Sequence, residues 1–258
     1  MPGVFSSVIV HNERLAEAVY SISILCPDIA DTARAGQFLN IKCGAERLLR
    51  RPISICCIDG GKVKFVFEVK GAGTDWLAKR AAGQILDVMG PLGNGFSVPD
   101  DSFVVVGGGM GVPPLLYAAM SAKRGLDAVL GFRSADRVIL YNDFMSVCGK
   151  VIVSTDDGSR GIMGTVVQPL AELLKGGGYG CVLACGPRVM LSAVAGICKQ
   201  FGIPCQVSLE ERMGCGVGAC LVCACATTEG GAAKMSRVCK DGPVFDAREV
   251  VWEEAGTE

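Results

Sequence analysis

Four cysteines near the C-terminal end of the chain have a spacing that suits an iron–sulfur cluster. Cys215, Cys220 and Cys223 follow the pattern C-x4-C-x2-C, and Cys239 comes after fifteen further residues. Plant-type [2Fe–2S] proteins begin their ligand set with the same spacing of thiolates. Structural zinc, the main alternative, favours two C-x2–4-C pairs, and the second pair is missing here. The spacing therefore favours a [2Fe–2S] cluster over zinc.

The residues around these thiols fit a loop that wraps a cluster closely. Glycines at positions 214, 216 and 218 let the backbone approach, so that N–H groups can point at sulfur atoms. Cys225 follows Cys223 by two positions and would point the other way in an extended loop. We therefore predict that Cys225 is not a ligand.

The composition gives no support to several other functions. The 258 residues are 50% hydrophobic with a net charge of −1, which favours neither nucleic acid nor an acidic membrane surface. The N-terminus lacks the basic and apolar regions of a signal peptide, so we expect a cytoplasmic protein whose other cysteines pack as small apolar side chains. Residues 103–122 are uncharged over a membrane length, but "GGGMG" and "PP" predict a strand, a turn and a helix start instead of a membrane span.

Two glycine turns predict a dinucleotide site. In "VVVGGGMGVPPLL" a strand turns into a helix, and backbone N–H groups there can approach a pyrophosphate; its glycines are Gly107, Gly108, Gly109 and Gly111. A second turn, "CGPRVM", supplies Cys185, Gly186 and Pro187 at the same sheet edge. An ordinary strand-to-helix turn is the alternative for each.

The first part of the chain contains a candidate diphosphate clamp. "RRPIS" places Arg51 and Ser54 on a β segment, and "KGAGT" opens a helix predicted at Thr74–Arg80 with Thr74 as its cap. An arginine beside a helix N-terminus suits a diphosphate. The alternative is a surface arginine and a capped helix.

The elements that must position these residues change in type along the chain. Residues 1–99 contain six short strands separated by turns, which predicts a six-stranded antiparallel β-barrel. Residues 100–209 alternate strands and helices, which predicts a doubly wound parallel sheet, with one ambiguous segment at 138–149 and a first helix ending at Gly125. Residues 210–258 are too short and too rich in Cys and Gly to build a separate core.

The motifs together resemble one family. "RRPIS", "KGAGT", "GPLGNGF", "GGGMGVPPL", "CGP" and "EERMGCGVGACLVCAC…SRVCKDGPVF" occur in the order found in the iron–sulfur flavoprotein subunits of type B dihydroorotate dehydrogenases. The front two-thirds is similar to the wider ferredoxin–NADP reductase superfamily.

The resemblance implies that the barrel binds FAD, the α/β region binds NAD and the C-terminal lobe holds one [2Fe–2S] cluster. It assigns to FAD the residues Arg51, Pro52, Ile53, Ser54, Phe67, Glu68, Val69, Gly73 and Thr74, and to the cluster Cys215, Cys220, Cys223 and Cys239. Two departures are visible. Ile53 stands where the superfamily usually has an aromatic residue, and Cys239 is closer to the other ligands than its counterpart in plant ferredoxins.

These cofactors predict an electron-transfer function. NAD takes two electrons as a hydride, a [2Fe–2S] cluster takes one, and a flavin does either, so the flavin belongs between them. The sequence offers no convincing acid–base or nucleophile set, so substrate oxidation is expected in a partner. The resemblance implies an FMN-containing catalytic subunit, a heterotetramer with two copies of each subunit, and a role in pyrimidine biosynthesis.

Two alternatives stay open. The chain could be an NAD(P)H reductase of the same superfamily that serves another partner, such as a hydrogenase or a sulfide dehydrogenase. It could also be a zinc-stapled nucleotide-binding module without redox chemistry. Arg133, which follows a strand, is a candidate contact for the 2′-phosphate of NADP, with a solvated surface arginine as its alternative.

Overall fold

The computed structural model describes residues 3–252, so residues 1–2 and 253–258 of the outer predicted segments lie outside it. The first segment is a closed antiparallel barrel with strand order β1-β2-β5-β4-β3-β6, which confirms the six-stranded prediction. The strands are β1 Gly3–Ala16, β2 Val19–Leu25, β3 Phe38–Ile41, β4 Arg51–Asp59, β5 Lys62–Glu68 and β6 Ile85–Leu92. Alternate residues of these strands fill the barrel interior, because successive side chains point to opposite faces.

Two short helices accompany the barrel, α1 at Pro27–Ala30 and α2 at Ala72–Ala78. The prediction that Thr74 caps α2 was wrong, because the helix begins two residues earlier with Gly71 as its N-cap. Thr74 stands in the first turn, and its hydroxyl accepts hydrogen bonds from the N–H groups of Lys70 at 3.0 Å and Gly71 at 3.3 Å. Thr74 thus accepts hydrogen bonds from backbone N–H groups just before the helix, although it stands in the first turn and not at the N-cap.

The second segment is a parallel sheet with helices on both faces, which confirms the doubly wound prediction. Its elements are β7 Phe103–Gly108, α3 Val112–Met120, β8 Leu126–Phe132, α4 Tyr141–Met145, β9 Lys150–Thr155, β10 Ile162–Met163, α5 Val167–Lys175, β11 Cys181–Cys185, α6 Arg188–Phe201 and β12 Cys205–Ser208. In β7, Phe103 and Val105 pack with α3 and α4, while Val104 and Val106 pack with α5 and α6. This strand is therefore buried on both faces, as parallel sheets require.

One prediction for this segment was wrong, and the structure assigns the stretch that the sequence left ambiguous. Helix α3 ends at Met120 rather than at Gly125, and the Ser121 hydroxyl donates to the Tyr117 carbonyl at 2.7 Å where the helix stops. The ambiguous segment at 138–149 contains the short helix α4.

The C-terminal segment is attached to the nucleotide sheet. Strands β13 Ala224–Glu229 and β14 Ala232–Arg237 form a hairpin, and β15 Val244–Asp246 pairs antiparallel with β12. Its buried side chains, Cys223, Cys225, Val238, Cys239, Ala247 and Val250, belong to the same apolar core as α5 and α6. The segment therefore shares a core, as its composition led us to expect.

Between residues 3 and 252, no helix is both long enough and apolar enough to cross a membrane.

Candidate functional site

The four predicted cluster ligands lie together in two pairs. The backbone N–H of Cys215 lies 3.4 Å from the Cys220 sulfur, and the N–H of Cys239 lies 3.5 Å from the Cys223 sulfur. Over residues 3–252, no three His, Cys, Asp or Glu side chains are arranged around one point as ligands of a single ion. Two pairs of thiols suit a [2Fe–2S] cluster, because four cysteines hold its two irons, two cysteines for each iron.

Backbone N–H groups of the loop point at these sulfurs. Val217 and Ala219 donate to the Cys215 sulfur at 3.4 and 3.2 Å, and Gly218 donates to the Cys239 sulfur at 3.1 Å. Burial raises the pKa of the Cys215 thiol, but the hydrogen bonds from Val217, Cys220 and Ala219 outweigh it and lower the pKa to about 6. The loop therefore favours a thiolate, which is the form that binds iron.

Glycine is required at two positions of this loop. Gly216 and Gly218 have φ angles of +74° and +83°, in the left-handed region that other residues rarely adopt. A Cβ atom on Gly218 would also lie 2.6 Å from the Lys240 side chain. The glycines noted in the sequence thus fit the cradle of N–H groups.

An ion pair fixes the loop to its own hairpin. Arg237 donates to both carboxylate oxygens of Asp241 at 2.9 Å and to the Gly218 carbonyl at 3.2 Å. The hydrogen bond from Arg237 lowers the pKa of Asp241 to about 2. Cys225 lies on β13 opposite Ser236, buried in the core, and stays predicted as a non-ligand.

A cavity of about 460 Å³ collects most of the predicted flavin residues. It is lined by Arg51, Pro52, Ile53, Ser54, Phe67, Glu68, Gly73, Thr74 and also by Cys185 from the second glycine turn. A Cβ atom on Gly73 would lie 2.5 Å from Nε of Arg51, so the guanidinium sits directly against the N-terminal turn of α2. The arrangement suits a diphosphate, as the two motifs predict.

A second cavity of about 780 Å³ lies beside the first and collects the nucleotide turns. Its predicted residues are Val69, Gly108, Gly109, Gly111, Gly186 and Pro187. Val69 was expected beside the flavin and lines this cavity instead. Gly107 lines neither cavity; a Cβ there would lie 2.8 Å from the Val112 side chain, so its role is to let α3 pack on β7.

The two glycine turns touch each other. A Cβ atom on Gly111 would lie 2.2 Å from the Cys185 carbonyl oxygen and 2.5 Å from the Gly186 nitrogen. This contact brings both turns to one site at the carboxyl edge of the sheet, where ligands of doubly wound folds bind.

Comparisons with known proteins agree with this geometry. Residues 210–251 match the family model described as the iron-sulfur cluster binding domain of dihydroorotate dehydrogenase B. The chain is 39% identical over 246 residues to the dihydroorotate dehydrogenase B (NAD(+)) electron transfer subunit of Caldanaerobacter subterraneus subsp. tengcongensis, covering 95% of this chain and 97% of that one. It is 41% identical over 250 residues to the subunit of the same name from Geobacillus kaustophilus, covering 92% and 94%.

This chain belongs to the family of dihydroorotate dehydrogenase B electron transfer subunits. The predicted family is therefore confirmed, and with it an oxidoreductase subunit whose cofactors are FAD, NAD and a [2Fe–2S] cluster. A solved structure from work on an NADH-dependent reduced ferredoxin–NADP oxidoreductase aligns with a TM-score of 0.84 at 30% identity, over 98% of this chain and 92% of that one. The ferredoxin reductase in carbazole 1,9a-dioxygenase aligns with a TM-score of 0.65 at 18% identity, over 79% and 67%, and shows the fold alone.

In this electron transfer subunit, four residues form the wall between the cavities, and of these only Glu68 was predicted from the sequence. Glu68, Lys70, Met110 and Glu210 line both cavities. Desolvation of the Glu210 carboxyl by the surrounding protein raises its pKa, and the positive charge of Lys70 opposes this rise. Arg137, from the nucleotide region, pairs with Glu68 of the barrel. Lys70, Met110 and Glu210 stand inside the motifs "KGAGT", "GGGMGVPPL" and "EERMGC", but no site role was predicted for them. Nothing in the sequence marks Arg137.

Proposed function

We propose that the chain transfers electrons between an FMN-containing catalytic subunit that oxidises dihydroorotate and NAD⁺, in the cytoplasm, as a step of pyrimidine biosynthesis. The observation that carries the proposal is the placement of three sites side by side in one body. The two cavities share a wall, and the loop with the paired cysteines contacts Asn40 of the barrel strand next to the flavin cavity. Cysteine-rich iron–sulfur chemistry also suits a reducing compartment.

Each site has residues suited to one cofactor. Cys215, Cys220, Cys223 and Cys239 would hold the cluster, Arg51 and the N-terminal turn of α2 would hold the FAD diphosphate, and the turns at Gly111 and Gly186 would hold NAD. When bound, FAD supplies chemistry that exchanges hydride with NAD and single electrons with the cluster. The protein's own residues would bind and orient these groups, and the wall of Glu68, Lys70, Met110 and Glu210 would stand between the two cofactor sites.

The cluster loop is also suited to a partner. Cys220 is exposed, and the neighbouring Val217, Leu221 and Val222 are 45%, 62% and 57% exposed. Neighbouring exposed apolar side chains are typical of a surface that another protein covers. We propose that the catalytic subunit does so, in a heterotetramer with two copies of each chain.

A second candidate is a reductase of the same fold with another partner. It is favoured by the alignment with the NADH-dependent reduced ferredoxin–NADP oxidoreductase study, which covers 98% of the chain at 30% identity. Arg133 and Ser134 line the nucleotide cavity and could meet a 2′-phosphate, so NADP is the expected difference.

Purification of the tagged chain from its native host tests both candidates. We expect one FAD and two irons per chain, an FMN subunit as partner, and faster reduction of the complex by NADH than by NADPH. A colourless, zinc-containing preparation would refute the redox function. A complex with a different partner, inactive on dihydroorotate, would support the second candidate.

A further inference from the structure

We propose that Asn40, in the flavin barrel, is a positioning residue for the cluster loop and thereby tunes the cluster. The inference rests on the proposed function, because it assumes that the four cysteines hold iron. It concerns a residue that no motif marks and that lies 175 positions from the nearest cluster ligand.

The strand β3 places Asn40 on the outer face of the barrel. Leu39 and Ile41 point into the barrel core, whereas Phe38 packs in the core of the nucleotide sheet. Since successive side chains alternate, Asn40 shares the outer face with Phe38. It is only 1% exposed, so another element must cover it.

The element that covers Asn40 is the cluster loop. Its Nδ2 lies 3.4 Å from the carbonyl oxygen of Cys215, a predicted cluster ligand. A Cβ atom on Gly216 would lie 2.5 Å from the same Nδ2, so the loop and the amide are in direct contact.

Neighbours of Asn40 in the barrel line the flavin cavity, although Asn40 itself does not. Asn40 pairs across the sheet with Pro52, and both Pro52 and Phe38 line that cavity. The Arg50 guanidinium, which pairs with Asp87, donates to the Asn40 carbonyl at 3.3 Å and fixes the backbone. One buried amide thus joins the flavin strand to the backbone of a cluster ligand.

The hydrogen bond to the cluster loop is the one polar contact of the Asn40 side chain among residues 3–252. Within the described residues, Oδ1 of Asn40 has no hydrogen-bond partner. Buried polar atoms normally find one, and an apolar residue would fill the space without that cost. The contact with the backbone of a cluster ligand is therefore what distinguishes Asn40, and groups that hold ligands or donate near cluster sulfurs set the cluster potential.

Asn40→Asp tests the inference because it keeps the shape, removes the donor and adds negative charge beside Cys215. A buried negative charge disfavours adding an electron to the cluster. At a fixed potential we expect the ratio of reduced to oxidised cluster to fall at least tenfold, which is about 59 mV for one electron. The EPR signal of the reduced cluster should also change shape, while FAD content stays as in the wild type.

Asn12→Asp is the matched control. Asn12 is a barrel asparagine whose Nδ2 also donates to backbone carbonyls, those of Ala78 and Arg80, and whose Oδ1 also lacks a partner within residues 3–252. Its contacts lie at the C-terminal end of α2 instead of at the cluster loop. We expect this variant to leave the EPR signal and the reduced fraction unchanged.

Asn40→Leu is a second test variant that introduces no charge. It removes the donor without adding charge, so we expect an altered EPR signal with a smaller change in reduced fraction. If Asn40→Asp loses iron but keeps FAD, the tie to the loop is supported; if it also loses FAD, Asn40→Leu decides. Wild-type EPR signals and reduced fractions in both Asn40 variants, each with two irons, would overturn the inference. A wild-type protein without iron would instead refute the proposed function.

Discussion

Replacing Gly111 by alanine should force the two nucleotide turns apart. The new methyl carbon would lie 2.2 Å from the Cys185 carbonyl oxygen, about 1 Å closer than such atoms pack. Gly111 has a φ angle of −79°, which alanine adopts easily, so the effect is purely steric. Overpacking of this kind costs about 1–3 kcal/mol of stability.

The functional effect should be larger than the loss of stability. Cys185 lines the flavin cavity and Gly186 the nucleotide cavity, so a shift of about 1 Å moves one binding surface relative to the other. Misplacement of that size costs about 100-fold in rate, or about 2.7 kcal/mol of activation free energy. Stopped-flow reduction of the bound flavin by NADH measures it, and FAD content should be unchanged.

Gly196→Ala is the matched control. Gly196 lies within α6, and a Cβ there would meet nothing within 4 Å. Alanine should stabilise the helix by about 0.5–1 kcal/mol and leave the reduction rate alone. If Gly111→Ala reacts with NADH as fast as the wild type and unfolds at the same temperature, the contact between the turns does not position the nucleotide.

Two further predictions concern the ion pair between the barrel and the nucleotide region, and the cysteines that hold the cluster. Arg137→Gln removes the pair with Glu68, in which both side chains are about three-quarters buried, and the exposed hydrogen bond to the Glu17 carbonyl. We expect a loss of about 1–3 kcal/mol in the free energy of unfolding, measured with urea, and a raised KM for NADH. The exposed pair of Arg124 with Asp101 provides the control, since Arg124→Gln should cost under about 0.5 kcal/mol; equal losses in both variants would contradict a role for the junction. Cys239→Ser should lose iron and the reduced-cluster EPR signal, whereas Cys225→Ser should keep both. Two irons and an unchanged signal in Cys239→Ser would remove it from the ligand set.

The parts of the structure that were predictable are those with local signals. The barrel strands alternate and are separated by turn residues, and the glycine turns mark the change from strand to helix. The cysteine spacing identifies the cluster loop because ligand geometry restricts it directly. In each case, neighbouring residues carry the physical constraint.

The parts that were not predictable depend on contacts between distant residues. Strand β15 has only three residues, too few to show a periodicity, and its pairing with β12 is set by the folded sheet. Arg137 resembles a surface charge in the sequence, and only the fold pairs it with Glu68, a residue predicted for the flavin site. Asn40 did leave a trace, a polar residue inside the apolar run "FLNI", whose reason is visible only once the cluster loop covers it.

The attachments of the C-terminal segment explain why the cluster loop has a fixed place beside the flavin cavity. The Asn94 amide, beyond the end of β6, donates to the carbonyls of Lys240 and Asp241 at 3.1 Å each, beside the ligand Cys239. The N–H of Leu209 donates to the Pro243 carbonyl at 2.9 Å, where β15 joins the nucleotide sheet. Asn40 holds the other end of the loop at Cys215. Because the loop is tied to the barrel at both ends and its hairpin shares the core of the sheet, the distance between the cluster loop and the flavin cavity is set by packing rather than by a hinge. The change of sequence pattern at residue 210 therefore marks a change of chemistry within one folded body.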